Sequence, residues 1–251
     1  MEAAKHFDYI LKWADSSLIL GQRLAEWCGH GPVLEEDIAL TNISLDLIGQ
    51  ARSLLTHAGN VERHGRDEDQ LAFFRDVTEY RNPLLAELPN GHFGDTIARQ
   101  LVHDHFLFLS YREMQKSKDI QLSAIAEKSI KEVAYHRKHS SDWVVRLGDG
   151  TEESHSKIQE SINNIWMYTG ELFTMDDIEQ QAVTEGIGVD VSALQEEWRA
   201  NIEQVLNAAT LTTPEDGWMQ KGGKQGIHTE HLGYVLAEMQ HIPRMHPNAE
   251  W

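Results

Sequence analysis

Apolar side chains recur every three or four residues along most of this sequence, which is the spacing of a buried helix face. This periodicity predicts long helices over residues 4–28, 35–59, 67–80, 95–117, 119–147 and 152–173. It weakens afterwards and predicts shorter helices over residues 176–185, 191–209 and 229–242. Because no strand pattern competes with the helical one, we expect an all-α protein, a helical bundle with extra C-terminal helices.

Glycine and proline separate the predicted helices. The clearest breaks fall at residues 29–32, 83–94 and 148–150. The sequence contains no internal repeat and no low-complexity tract. We therefore expect one domain over residues 1–251, in which residues 174–251 form a C-terminal helical extension.

Two of the predicted helices carry the same interruption of their apolar stripe. In each, a polar residue follows an aliphatic residue by three positions: Gln50 follows Leu47, and His136 follows Val133. Helical bundles that hold two metal ions use a carboxylate and a histidine at this spacing on two helices, together with two further carboxylates. Leu47 and Val133 stand where such carboxylates would be, so the pattern indicates a metal site that has lost most of its ligands.

Two other side chains have the chemistry of metal ligands. Asp104 lies on an apolar stripe of the helix predicted over residues 95–117, and we expect it to point inward, as His136 does. Such a buried polar pair also has a purely structural interpretation, in which Asp104 and His136 hydrogen-bond to each other or to Gln50. Both interpretations stay open.

Neighbouring acidic and imidazole groups fit a metal site less well. Glu132 lies beside the stripe, but helical rotation of about 100° per residue turns it away. His103 and His105 are two residues apart and point to opposed sides of a helix, so we expect a solvated face to explain at least one of them. The spacing of His136 and His139 leaves a metal site at the edge of the helix open.

Composition and charge exclude several classes of protein. Acidic side chains number 40 and basic ones 22, for a formal charge of -18, so we expect neither nucleic acid nor an anionic membrane as a partner. No apolar run approaches the roughly 20 residues that span a bilayer, and we expect a cytoplasmic protein. The single cysteine, Cys28, forms no internal disulfide. Neither a dinucleotide-binding glycine motif nor a nucleophile elbow occurs.

A glycine-rich segment precedes the last predicted helix and has two interpretations. Its backbone amides and lysines suit an anion such as the phosphate of a thioester carrier, although the spacing is not that of a P-loop. Alternatively, the segment is a structural cap whose histidines make hydrogen bonds or subunit contacts. The residues concerned are Lys221, Gly222, Gly223, Lys224, His228 and His231.

Several segments together resemble one known family, and the resemblance extends over nearly the whole sequence. The family is the C subunit of the bacterial ring-1,2-phenylacetyl-CoA epoxidases, which are ferritin-like multicomponent monooxygenases of phenylacetate catabolism. The segments are residues 21–24 with 26–30, 45–47 with 49–52, 95–100, 131–132 with 135–136, and 222–224 with 228–233.

The resemblance implies a ferritin-like fold and a role without catalysis. In such complexes a related A subunit carries the di-iron centre, the C subunit pairs with it, and a separate reductase supplies electrons. Leu47 and Gln50 correspond to one Glu-x-x-His pair of the A subunit, and Val133 and His136 correspond to the other. We therefore expect no metal, no cofactor and no catalytic residue on this chain, and di-iron in its partner.

Two further positions, Asp104 and Glu26, correspond to isolated carboxylate ligands of the A subunit. Glu26 shares a helix face with Lys12, Asp15 and Gln22, so a solvated position is the alternative for it.

Three hypotheses of function follow. The leading one is a structural subunit that supports the catalytic subunit of a phenylacetyl-CoA ring epoxidase in a hetero-oligomer, with self-association when the chain is alone. The second is a self-contained metal-dependent oxygenase that uses Asp104, Glu132, His136 and His139. The third is an accessory module that binds a CoA thioester through residues 221–226.

Overall fold

The computed structural model describes residues 1–247 and residue 249. Every regular element in this part of the chain is helical, so the all-α, ferritin-like fold class predicted from the sequence is confirmed. None of the described helices combines the length and the apolar character that crossing a bilayer requires. The helices are α1 (Ala3–Ala25), α2 (Leu34–Glu62), α3 (Glu68–Phe73), α4 (Leu84–Glu87), α5 (Phe93–Met114), α6 (Ile120–Gly148), α7 (Glu152–Trp166), α8 (Gly170–Phe173), α9 (Asp177–Thr184), α10 (Gln195–Ala208), α11 (Glu230–Met239) and α12 (His241–Met245).

The chain forms two compact units. The first comprises residues 1–89 with the described residues from 222 onward, and the second comprises residues 90–221. The expectation of a single domain with an extension from residue 174 stays a prediction.

Helices α1 and α2 pack closely against each other in the first unit. At their contact, a Cβ on Gly21 would lie 3.1 Å from Cγ1 of Ile48. Ser44 of α2 donates its hydroxyl to the carbonyl oxygen of Gly21 at 2.8 Å. The close approach explains a glycine inside α1, where it costs about 1 kcal/mol relative to alanine.

A buried polar network connects the C-terminal helices to the rest of the first unit. Arg75 binds both carboxylate oxygens of Asp15, with Nη1 2.9 Å from Oδ2, and both side chains are buried. The Arg75 guanidinium also lies 4.2 Å from the ring centre of Tyr80. Gln240, which follows α11, donates its Nε2 to the carbonyl oxygen of Arg75 and to the hydroxyl of Tyr80, each at 2.9 Å.

Helix α5 contacts α6, α7 and α10 in the second unit. Every residue from Thr96 to Leu107 is buried, polar residues included. Asp95 in its first turn accepts a hydrogen bond from the Ser161 hydroxyl of α7 at 2.7 Å. On another side, Trp198 of α10 donates its Nε1 to the carbonyl oxygen of Val102 at 3.0 Å. Because α5 is enclosed, its polar side chains are also shielded from water.

Helices α1, α2, α5 and α6 occupy the predicted ranges to within a few residues, but two other predictions are too long. The helix predicted over residues 67–80 ends at Phe73, and Asp76 then starts a separate 3₁₀ turn. The helix predicted over residues 152–173 ends at Trp166, where Thr169 donates its hydroxyl to the Trp166 carbonyl oxygen at 2.8 Å. Apolar spacing continues through both turns, so periodicity alone does not reveal where the helices end.

The last predicted helix, over residues 229–242, is two helices. Helix α11 ends at Met239, and α12 begins at His241. Pro243 lies in the first turn of α12, where its missing N–H leaves no hydrogen bond unmade, so the helix continues past it.

Candidate functional site

The first unit holds three positions that the resemblance assigns to a metal site, Glu26, Leu47 and Gln50. Leu47 is fully buried on α2, and its Cβ would lie 3.3 Å from a Cβ on Gly21. Gln50 is buried one turn later. Glu26 follows the last residue of α1 and has a side chain that is 37% exposed, with Oε1 2.8 Å from Nη1 of Arg23. Glu26 therefore lies at the surface, and Leu47 and Gln50 do not.

The second unit holds Asp104, Val133 and His136, and all three are fully buried. Asp104 lies on α5, and its Oδ1 accepts a hydrogen bond from Nε2 of Gln100 at 3.3 Å. Burial raises the pKa of Asp104 to about 7, against the opposing effects of His136, the Ser140 hydroxyl and Arg99. These residues form a buried polar cluster between α5 and α6. Gln100, which periodicity did not single out, supplies its amide donor.

The two histidines beside Asp104 are both buried, so the expectation of a solvated face for one of them is wrong. His103 is 0% exposed and His105 is 5% exposed. Burial lowers the pKa of each to about 3. The Ser141 hydroxyl donates to the carbonyl oxygen of Arg137, so His105 donates its Nε2–H to the Ser141 oxygen at 3.0 Å. Both are packing residues in an enclosed helix.

The donor set does not fit a di-iron centre. Leu47 and Val133 offer only aliphatic carbon, and Gln50 offers a neutral amide. Two divalent ions in such a bundle take about four carboxylates and two histidines, whose charge compensates theirs. The alternative ligand set does not assemble either. In the second unit no three of the following residues bring ligand atoms within 4.8 Å of one another: Asp104, Glu132, His136 and His139.

The glycine-rich segment folds closely against the chain that precedes α4. A Cβ on Gly223 would lie 2.3 Å from the carbonyl oxygen of Asn82. Gly222 and Gly226 have φ angles of 135° and 81°, which side chains with a Cβ rarely adopt. The amides of residues 225–227 donate to the carbonyl oxygens of Gly222 and Gly223 at 2.9 to 3.0 Å. Glycine here permits close backbone approach, as the structural interpretation of the segment requires.

Glu87, at the end of α4, is a buried carboxylate that sequence reasoning missed. It accepts hydrogen bonds from the Thr229 amide at 2.6 Å, from Nδ2 of Asn82 at 2.9 Å and from Nδ1 of His228 at 2.8 Å. His228 donates its Nε2–H to the carbonyl oxygen of Tyr80 at 3.0 Å. Each ring nitrogen of His228 thus faces an oxygen atom. This pair fixes the start of α11.

The remaining residues of the glycine-rich segment that could contact an anion or a partner differ in exposure. Lys221 is exposed, whereas Lys224 is 7% exposed. Arg23 of α1 donates to the carbonyl oxygen of Glu87 at 2.9 Å and to that of His231 at 3.3 Å. Contact between this segment and an anion or a partner stays a prediction.

Comparison with known proteins covers the whole chain. The family described as phenylacetic acid catabolic protein matches residues 1–251. The chain belongs to this family. It is 48% identical over 243 residues to a protein of Escherichia coli (strain K12) that is named as the C subunit of 1,2-phenylacetyl-CoA epoxidase. The match covers 97% of this chain and 98% of the relative. The resemblance drawn from the sequence segments is thereby confirmed.

Proposed function

We propose that this chain is the non-catalytic, metal-free subunit of a multicomponent phenylacetyl-CoA epoxidase in the cytoplasm. It pairs with a catalytic subunit that carries the di-iron centre and epoxidises the aromatic ring. The observation that carries the proposal is the burial of aliphatic Leu47 and Val133 at positions that correspond to metal-binding carboxylates. The name of the relative from Escherichia coli supports the part of the proposal that makes this chain an epoxidase subunit.

The contribution of this chain is mechanical. A carboxylate buried without a cation destabilises a fold, whereas leucine and valine at the same positions add apolar packing. A chain that needs no metal to fold offers a rigid support for the helices of its partner. Catalytic geometry in that partner depends on such support, because ligand positions must be held within a fraction of an ångström.

Reconstitution with purified components tests the proposal. The catalytic subunit, the reductase and phenylacetyl-CoA are mixed with and without this chain, and the epoxide is measured by chromatography. We expect this chain to form no product alone and to raise the rate of the catalytic subunit about tenfold or more. Product formed by this chain alone after incubation with Fe(II) would contradict the proposal.

A substitution in the polar cluster separates support from catalysis. We expect His136→Gln to leave the turnover of the assembled complex within about twofold of the unaltered one, because His136 touches no reacting atom. His64→Gln, at a side chain that is 75% exposed, is the matched control. Turnover lost in the His136 variant, with complex formation and Tm unchanged, favours the self-contained oxygenase instead.

A further inference from the structure

The outer face of α2 carries a second apolar stripe. Leu34, Ile38 and Leu45 expose 72%, 53% and 61% of their surface. Thr41 is half-buried and lies on the same face. The spacing of these four residues is four, three and four, which is the repeat that lays one helix along another. The stripe therefore has the geometry of a helix-binding seam.

This seam is separate from the face that α2 buries within the first unit. The buried face contains Leu40, Ile43, Leu47 and Leu54. Helix α2 is thus apolar on two sides, only one of which is covered by the described part of this chain. Single exposed apolar residues are common on protein surfaces, but a continuous stripe of about three turns marks an interaction surface.

Gly49 gives an independent indication. It lies in the interior of α2 beside the seam, where glycine weakens a helix relative to alanine. A Cβ on Gly49 would meet no atom within 4 Å, whereas one on Gly21 would press against α2. No atom among the described residues therefore requires glycine at position 49. A glycine on an exposed helix face allows the backbone of a second helix to approach closely.

Charge distinguishes a foreign partner from a second copy. Glu35, Asp37 and Asp46 flank the seam, and Arg52 at its end is paired with Glu68 at 3.1 Å. The whole chain carries a formal charge of -18. A second copy would bring the same acidic flanks together and be repelled, whereas a helix with lysine or arginine beside an apolar seam complements this face.

We infer that the outer face of α2, residues 34–49, is the surface that binds the catalytic subunit, through a helix whose apolar seam has basic flanks. This inference rests on the proposed function and adds to it the location of the contact.

Two substitutions in the full chain test the inference, with purified catalytic subunit as the probe. We expect Leu45→Lys and Gly49→Leu each to raise the Kd for that subunit at least about tenfold in isothermal titration calorimetry. Ile120→Lys, at a residue that is 84% exposed on α6, is the matched control and should leave the Kd within about twofold. Because a Cβ at position 49 meets no atom within 4 Å, Gly49→Leu should keep or raise the Tm, and a measured Tm that is not lowered shows that loss of folding does not explain weaker binding.

The outcomes separate the two proposals. Unaltered affinity of both seam variants would overturn the inference and leave the proposed function intact. If the unaltered chain fails to bind the catalytic subunit, both are wrong. If Leu45→Lys converts a dimer of this chain into a monomer while binding to the catalytic subunit is unchanged, the face belongs to a second copy and the inference is overturned.

Discussion

Leu47 and Val133 show that the side chain at one position determines whether a helix can offer a metal ligand there. Each is fully buried, at a position that the family resemblance assigns to a metal-binding carboxylate. Aliphatic carbon cannot coordinate iron, but it stabilises a core by about 25 cal/mol for each Å² of apolar surface removed from water. At the scale of single residues, this chain has apolar packing at positions where the family resemblance implies metal ligands in the A subunit.

Val133→Glu tests the burial directly. We expect the free energy of unfolding to fall by about 3 kcal/mol or more, because the new carboxylate has neither water nor a cation around it. Urea unfolding measures this change. Lys131→Glu, at an exposed position of the same helix, should change the free energy by less than about 0.5 kcal/mol. Equal stability of both variants would contradict the burial of Val133.

The burial of His105 predicts that the free energy of unfolding falls in acid. Burial lowers its pKa to about 3, from 6.5 for an ordinary histidine. Between these values the unfolded chain binds the additional proton, so the contribution of His105 is fully present above pH 6.5 and is lost as the pH falls toward 3.

His105→Gln should therefore reduce the loss of stability between pH 7 and pH 4.5 by about 2 to 3 kcal/mol. Urea unfolding at the two pH values measures it, and His64→Gln, at an exposed histidine, serves as the control. The same pH dependence in His105→Gln and in the unaltered chain would show that His105 does not cause it.

Where only one face of a helix is buried, periodicity predicts well which residues are buried. The burial expected for Leu47, Gln50, Val133 and His136 is confirmed. It fails for His103 and His105, because it assumes that the far side of a helix faces water. Since α5 is enclosed from Thr96 to Leu107, both sides are buried, and nothing local in the sequence indicates this.

At the scale of elements, the contact between the glycine-rich segment and α4 joins parts of the chain that are far apart in sequence. Gly223 touches the backbone of Asn82, and Glu87 binds both His228 and the amide of Thr229. A structural cap is one of the two interpretations that the sequence gives for this segment, but Glu87 is not singled out by the sequence. That residue lies in a break with no periodicity, and its role depends on a long-range contact.

Gly223→Ala should lower the free energy of unfolding by about 2 kcal/mol, because the added Cβ lies 2.3 Å from the Asn82 carbonyl oxygen. Gly217→Ala is the matched control, since a Cβ there meets no atom within 4 Å. Thermal unfolding of the two variants measures the difference. Identical Tm values would mean that the segment does not pack on this backbone.

Glu87→Ala removes the acceptor of three donors at once. We expect about 3 kcal/mol of lost stability, and faster amide hydrogen exchange in α11, because His228 and the Thr229 amide remain buried without their partner. Hydrogen exchange with mass spectrometry locates the effect. Glu215→Ala, at an exposed residue, should exchange like the unaltered chain. Unchanged exchange in α11 of Glu87→Ala would contradict the role of this carboxylate.

At the scale of the whole molecule, the proposed function depends on surfaces rather than on a pocket. The chain has a formal charge of -18, an exposed apolar seam on α2 and no complete ligand set at the positions that correspond to a di-iron centre. The family and the aliphatic residues at ligand positions were predictable from sequence, because motifs and residue types are local. The seam was not, because only the structure shows which of two apolar faces of α2 is covered.

Iron content of the purified full chain tests the central claim most directly. The chain is incubated aerobically with Fe(II), passed through gel filtration and measured by mass spectrometry, and oxygen consumption is recorded with phenylacetyl-CoA and a reductant. We expect iron well below one ion per chain and no oxygen consumption. Two iron ions retained per chain, with oxygen consumed in the absence of any other subunit, would contradict the account.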